Sequence, residues 1–221
     1  LGLPFSDPLA DGPLLQAAAE RALLGGATFD GVLDLARAFR RHRQTPLVLM
    51  TYANPLYARG LERAAADLAA AGFDGLLAVD VPPEEDGDLG RLCAQHGLAR
   101  IHFTSPTSSA ERLASAVRQS SGFLYAIARL GVTGAATEHD QAARDFLART
   151  RRAANDLPLA VGFGISSPAH VRAAVEHADL AIVGSALVER IHREHSQGGG
   201  ALACARVAGE FLTHLQSGLT P

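Results

Sequence analysis

The sequence predicts an α/β fold of the (β/α)8 barrel type, built on parallel strands. Three observations predict it. Apolar runs of three to five residues recur along the chain, and between them lie Ala/Leu/Arg-rich stretches of helical periodicity. The runs are apolar nearly throughout rather than alternating, as in strands covered on both faces. The chain has 221 residues, 48% hydrophobic and 19% charged, with no internal linker or low-complexity segment. That suits one barrel-sized domain spanning 1–221.

The opening LGL reads as the tail of a strand. The segment PFSDPLADGP follows, and Pro4, Pro8 and Pro13 make it a loop rather than a helix. LLQAAAERALLGG then has helical character. The later strands are LVLMT (47–51), LLAV (76–79), IHFT (101–104), FLYAI (123–127), LAVGF (159–163) and LAIV (180–183). The helix LERAAADLAAAG (61–72) ends on Gly72, a natural terminator. The helix PAHVRAAVEHA (168–178) is capped by Ser166 and Ser167, with Pro168 in its first turn. GGG at 198–200 is a loop before the last helix. This gives seven strands, the first of them clipped, where a closed barrel has eight. The chain also opens on Leu rather than Met. Both features lead to the expectation that the first βα unit of the barrel is absent at the N-terminus.

Composition excludes several functions. A net charge of −3 offers no basic patch for nucleic acid, and no apolar run approaches the roughly 20 residues of a membrane span. Cys93 and Cys204 lie far apart, outside any metal-ligand spacing, and read as buried thiols of a cytoplasmic protein. All twenty basic residues are arginine.

In barrels of this kind the active site forms where strands end and βα loops begin. GVTGA (131–135), GFGIS (162–166) and VGSAL (183–187) all follow strands. Glycine lets backbone N–H groups close on an anion, and a helix N-terminus adds its dipole. Gly134, Gly164, Gly184 and Ser185 are therefore the expected phosphate ligands, the bland alternative being tight βα turns. Asp11, before Gly12 and Pro13, is either a helix N-cap or an acceptor for a substrate N–H or O–H. Asp7 and Asp80 are turn formers or ligand contacts. Tyr52 and Tyr125 cap the core or line a pocket, and His102 is expected to be a core residue. His192 and His195 lack a third ligand, so no metal site is expected.

LGLPFSDPLADGP, TYANP, VDVP, YAIARLGVTGA, VGFGISSP and VGSALV occur in the order seen in tryptophan synthase alpha subunits, and the resemblance covers essentially the whole chain. It implies a phosphate-binding (β/α)8 barrel that cleaves indole-3-glycerol phosphate to indole and glyceraldehyde 3-phosphate in tryptophan biosynthesis. It implies a beta-subunit partner in an alpha2-beta2 assembly. It implies no cofactor of the chain's own, with pyridoxal phosphate in the partner. A lysine-free chain cannot form a side-chain Schiff base, so the retro-aldol step is left to acid–base chemistry with the indole as electron sink. By the same resemblance Asp11 holds the indole N–H and Tyr125 lies beside the scissile bond. Tyr52, Leu77 and Phe103 pack on the indole ring. Thr133 belongs to a lid that meets Asp11, and Asp7 faces the beta subunit. The family's principal acid/base is a glutamate immediately before LGxPFSDP, a position that here precedes Leu1. A chain confined to these residues is expected to be inactive or nearly so. The alternatives are a standalone indole-3-glycerol phosphate lyase, or a catalytically impaired phosphate-binding subunit that activates its partner.

Overall fold

The structure, a computed structural model, describes residues 1–128, 138–162 and 164–219. The order of elements is α1 (Pro13–Leu24), α2 (Phe29–Arg40), β1 (Val48–Thr51), α3 (Ala53–Arg59), α4 (Leu61–Ala71) and β2 (Gly75–Ala78). A 3-10 turn (Pro83–Glu85) leads to α5 (Gly87–Gln95), β3 (Ala99–Arg100), β4 (Phe103–Thr104), α6 (Ala110–Gln119) and β5 (Leu124–Ile127). Then come α7 (Glu138–Ala154), β6 (Leu159–Gly162), α8 (Pro168–Val175), β7 (Leu180–Ala181), α9 (Ser185–Ser196) and α10 (Ala201–Gln216). The strands form two sheets, β1-β2-β3 and β4-β5-β6-β7. The pairs β1–β2, β2–β3 and β6–β7 are parallel, which makes this the expected α/β class. The chain forms two compact units. No helix among the described residues is long and apolar enough to cross a membrane.

The first unit comprises Leu1–Phe103 and Ala110–Leu124. Its opening LGL does act as a strand tail. Gly2 bridges Met50 in parallel, Met50 N–H donates to Leu1 O (2.9 Å) and Leu3 N–H to Met50 O (3.0 Å). The sheet is covered by α2, α4 and α5, which bury Val32, Leu33 and Ala36, then Ala64, Ala65, Leu68 and Ala71, then Leu89, Leu92 and Cys93. The face of α4 turned to the sheet is mostly alanine, and the apolar area that the three helices remove from water stabilises the unit. On β2, Leu76 and Ala78 belong to this core, while the buried Leu77 between them does not. That is the two-residue alternation of a strand, so Leu77 faces the other side, in register with Met50. Thr28 caps α2 by accepting the Gly31 N–H at 3.1 Å. Gly72 ends α4 as expected, with φ of +90°. A Cβ there would sit 2.6 Å from the Arg40 side chain, so glycine is needed for space as well as for conformation.

The second unit comprises Thr104–Ser109 and Tyr125–Pro221. All four residues of β6 are buried. Phe146 and Leu147 of α7, Val171 and Ala174 of α8, and Phe211 and Leu215 of α10 supply its apolar interior. The Arg190 guanidinium lies 4.1 Å from the Phe211 ring and ties α9 to α10. Residues 198–200 form the expected loop between these helices.

Two strands differ from expectation. Of the run at 101–104 only Phe103 and Thr104 are strand (β4), while a separate short strand, β3, precedes it at Ala99–Arg100. The ladder to β2 runs through Ala99 and Arg100, and Ile101 N–H still donates to Leu76 O at 3.0 Å. The interruption at 101–102 separates the residues that pair in the first sheet from those of the second. The run at 180–183 yields only Leu180 and Ala181, with one further bond from Ile182 N–H to Val161 O. The α8 helix ends at Val175, short of the expected 178, because Glu176 and His177 already form its closing turn.

Candidate active site

The loop after the opening strand carries Asp11 on a tight turn, in which Asp11 N–H donates to Pro8 O at 3.0 Å. The N-cap of α1 is Gly12, with Pro13 first in the helix and no side-chain cap. Asp11 is therefore not the cap. Its carboxylate is engaged from across the unit, where the Tyr52 hydroxyl donates to Oδ2 at 2.9 Å and accepts the Ala10 N–H at 3.1 Å. Tyr52 follows β1 directly, is 5% exposed, and packs on Phe5 with ring centroids 5.4 Å apart. Burial, and then the bond to Asp11, push the Tyr52 phenol up to about 12. It stays protonated at neutral pH and so acts as the donor to the Asp11 carboxylate. The Gln16 side-chain amide donates to Asp11 O at 2.9 Å and lies 3.4 Å from Pro8 O. Asp7 is exposed, and its carboxylate takes a 2.5 Å bond from the Ser6 hydroxyl.

The other expected residues of this unit have distinct roles. Leu77 is buried on the sheet face turned away from the covering helices, and Phe103 on β4 is half-buried. Asp80 stands at the end of β2, and its Oδ1 accepts the N–H of Ala53 at 2.7 Å. It thereby closes the start of α3 from a neighbouring strand end. His102 is a core residue, as expected. Its Nδ1 is 3.2 Å from Ser120 Oγ and its Nε2 is 3.5 Å from Asp86 Oδ2. Asp86 and Arg100 were not foreseen. They form a 2.7 Å ion pair with both side chains 2% exposed. Burial works to raise the Asp86 pKa, but His102 and Arg100 outweigh it and hold the carboxyl below its usual range. Cys93 is fully buried, and burial pushes its thiol up to about 11. Both cysteines are free thiols, though Cys204 is only half-buried, since its α10 helix packs at the surface.

In the second unit, Tyr125 of β5 lies against Gly162 of β6. A Cβ on Gly162 would sit 2.5 Å from the Tyr125 hydroxyl and 3.0 Å from both its ring and Ile182 Cβ. The first glycine of GFGIS thus makes room for the tyrosine, a role its sequence position did not reveal. Burial pushes the Tyr125 phenol up to about 12. Gly164 has φ of +79°, a conformation that disfavours a side chain. The two helix starts nearby differ. That of α8 is closed, with Ser167 Oγ accepting the His170 N–H at 3.3 Å. That of α9 begins at Gly184 and Ser185, both exposed, with no side-chain cap. Its first N–H groups have no partner within the helix and point a partial positive charge outward. His192 and His195 are exposed on α9. Thr133 and Gly134 lie outside the described residues.

The family model described as tryptophan synthase alpha chain matches residues 1–211. The tryptophan synthase alpha chain of Chloroflexus aurantiacus is 49% identical over 194 residues, 87% of this chain and 73% of that protein. That of Citrifermentans bemidjiense is 45% identical over 221 residues, 99% of this chain and 80% of that protein. Among solved structures, the tryptophan synthase subunit alpha of Legionella pneumophila aligns with a TM-score of 0.86 at 36% identity, over 99% of this chain and 80% of its own. A chain of the tryptophan synthase a2b2 complex of the hyperthermophile Pyrococcus furiosus aligns with a TM-score of 0.85 at 35% identity, over 100% of this chain and 86% of its own. The solved relatives share the fold as well as the sequence, and the family model spans nearly the whole chain: the chain belongs to the tryptophan synthase alpha chain family, a family of carbon–carbon lyases.

Proposed function

We propose that this chain performs the family's cleavage of indole-3-glycerol phosphate to indole and glyceraldehyde 3-phosphate with Asp11 as the residue that holds the indole nitrogen. The supporting observation is the carboxylate of Asp11, which does not cap α1 but accepts the Tyr52 hydroxyl. The reaction is a retro-aldol cleavage. A proton is added at C3 of the indole, which places positive charge on the ring nitrogen. The glycerol hydroxyl next to the ring loses its proton, its oxygen becomes the aldehyde, and the carbon–carbon electrons return to the ring. An anionic Asp11 accepting the N–H stabilises the charge at the moment it develops. Tyr52 keeps one carboxylate oxygen occupied and leaves the other for the substrate.

Leu77 and Phe103 are assigned to the apolar wall against the indole, and Tyr125, a neutral phenol at working pH, to the neighbourhood of the scissile bond. The phosphate is assigned to the uncapped start of α9 at Gly184 and Ser185, with Gly164, on the argument that α8 already has its cap. Thr133 and Gly134 are assigned to the lid and the phosphate grip. The chain is proposed to act as one phosphate-binding domain in the cytoplasm, without a cofactor of its own. A beta chain carrying pyridoxal phosphate is its proposed partner in an alpha2-beta2 assembly. The a2b2 complex of the Pyrococcus relative and the exposure of Leu9 (89%) on the Asp11 loop support that assignment.

The test is indole release from indole-3-glycerol phosphate in the presence of a tryptophan synthase beta chain. Asp11→Asn keeps the shape and removes the charge. It is expected to lower kcat by about a hundredfold. An unchanged kcat removes Asp11 from the chemistry.

A further inference from the structure

We propose that Gln16 is a positioning residue for the lyase reaction, holding Asp11 in the orientation in which its carboxylate meets both Tyr52 and the substrate. The inference rests on the reading of Asp11 given above. The Pro8–Asp11 turn presents two carbonyl oxygens to the first turn of α1. Gln16 sits in that turn, and its Nε2 donates to the last of them, Asp11 O, at 2.9 Å, with the first, Pro8 O, at 3.4 Å. Pro8 O also accepts the Asp11 N–H at 3.0 Å, so one side chain spans both ends of a closed turn. On the far side, the Tyr52 hydroxyl fixes the carboxylate and the Ala10 N–H.

Asp11 is thus held at its side chain by a buried phenol and at its backbone by an amide on a helix. Without Gln16 the carboxylate keeps its Tyr52 bond and the Asp11 N–H its bond to Pro8 O, but the Asp11 carbonyl loses the side-chain donor that fixes its peptide against α1. A Cβ on Gly12, the next residue, would meet nothing within 4 Å, so that side of the peptide faces open space. Nothing packs on that side to take the place of the amide. Glutamine suits the position because it supplies N–H donors at the length required, whereas glutamate would place a carboxylate against two carbonyl oxygens. Gln16 is itself exposed, so its loss does not open the core.

The experiment compares wild type, Gln16→Met, Gln16→Ala and Asp11→Asn, each with a beta chain. It reads kcat and KM for indole-3-glycerol phosphate and the melting temperature. It also reads inhibition by indole-3-propyl phosphate and by its N-methyl counterpart, which has no N–H to donate. Gln16→Met and Gln16→Ala are expected to melt near wild type and to lose about tenfold in kcat, because a displacement on the ångström scale costs that much or more. Their preference for the N–H inhibitor over the N-methyl one is expected to shrink toward that of Asp11→Asn. Inhibition by glyceraldehyde 3-phosphate, which has no indole, is expected to stay at the wild-type value. Wild-type kcat and undiminished N–H preference in both Gln16 variants, alongside their loss in Asp11→Asn, overturn the role of Gln16 alone. The same values in Asp11→Asn as well overturn the reading of Asp11 itself.

Discussion

Asp11 and Tyr52 show what one residue's surroundings decide. Asp-Gly-Pro before an apolar periodic stretch is a helix-start signature, and from sequence alone a cap and a ligand contact were equally open. The structure separates them because Gly12 takes the cap position and leaves the carboxylate one residue out, within reach of Tyr52. That pairing spans 41 positions in sequence, so no local pattern contains it. Tyr52→Phe keeps the contact with Phe5 and removes the hydroxyl. It leaves the Ala10 N–H and one Asp11 oxygen without their partner. The loss is expected to cost about 1–2 kcal/mol in chemical denaturation and to lower kcat by about tenfold through a less fixed Asp11. A pH effect accompanies it. The Tyr52 phenol is raised to about 12 in the folded chain, so the folded state holds its proton where the unfolded state has released it. The stability this supplies is complete below the ordinary phenol value of about 10 and is lost as pH rises toward about 12. Denaturation midpoints of Tyr52→Phe are expected to fall less steeply over that alkaline range than those of wild type. Equal slopes would show that the phenol is not perturbed.

At the scale of elements, the same device recurs at two strand starts. Asp74 stands just before β2, and its Oδ2 accepts the Leu47 N–H at 2.6 Å and an Arg40 N–H from the end of α2. Asp179 stands just before β7, and its Oδ2 accepts the Leu159 N–H at 2.8 Å and an Arg151 N–H at 2.6 Å, from the last turn of α7. In each case the aspartate's own N–H donates back to the carbonyl of the residue it binds, at 2.8 Å. A parallel strand pair is thus closed at its start, and the helix before it is tied in by an arginine. The apolar runs revealed the strands, and Gly72 and Ser167 revealed helix ends, because those signals are local. The clamp was not legible, since its three members lie on three separate elements. The break between β3 and β4 was hidden for the same reason, because which neighbour a residue pairs with is not written in its own hydrophobicity. The Leu159 N–H and then Arg151 hold the Asp179 carboxyl below its usual range. Its contribution is therefore present above the ordinary carboxylate value and is lost as pH falls through the lower, folded one. Asp179→Ala is expected to cost about 1 kcal/mol at neutral pH, a modest figure because the pair is partly solvated. The cost is expected to vanish in acid, read from urea midpoints across the acid range. A cost that persists undiminished at low pH would place the effect in packing instead.

At the scale of the whole molecule, composition already limits the chemistry. Twenty arginines and no lysine leave this chain no side-chain amine for a Schiff base, and an always-charged guanidinium serves for structure rather than proton transfer. One of those arginines is buried in the first unit. Arg100 and Asp86 are paired at 2.7 Å with each side chain 2% exposed, and His102 approaches the second carboxylate oxygen at 3.5 Å. Gly90 lies so close to Asp86 that a methyl group there would displace the carboxylate. Such charges are costly to desolvate, and here each offsets the other's charge, although Arg100 Nη2 is buried without a hydrogen-bond partner among the described residues. Asp86→Asn leaves Arg100 charged and buried without its counter-ion. It is expected to lower stability by about 3–5 kcal/mol, a larger loss than any other substitution considered above. Removing both charges by Asp86→Leu with Arg100→Met is expected to recover most of that loss, because an apolar pair needs no counter-ion. The pH dependence has a fixed sign: the folded carboxyl is held low, so the pair's contribution is present above the ordinary carboxylate range and is lost as pH falls through the depressed value. Denaturant unfolding of the two variants and wild type at neutral pH and in acid measures all of this. If the double variant is as unstable as Asp86→Asn, the cluster holds its strands together by its geometry, and charge balance is not what it supplies.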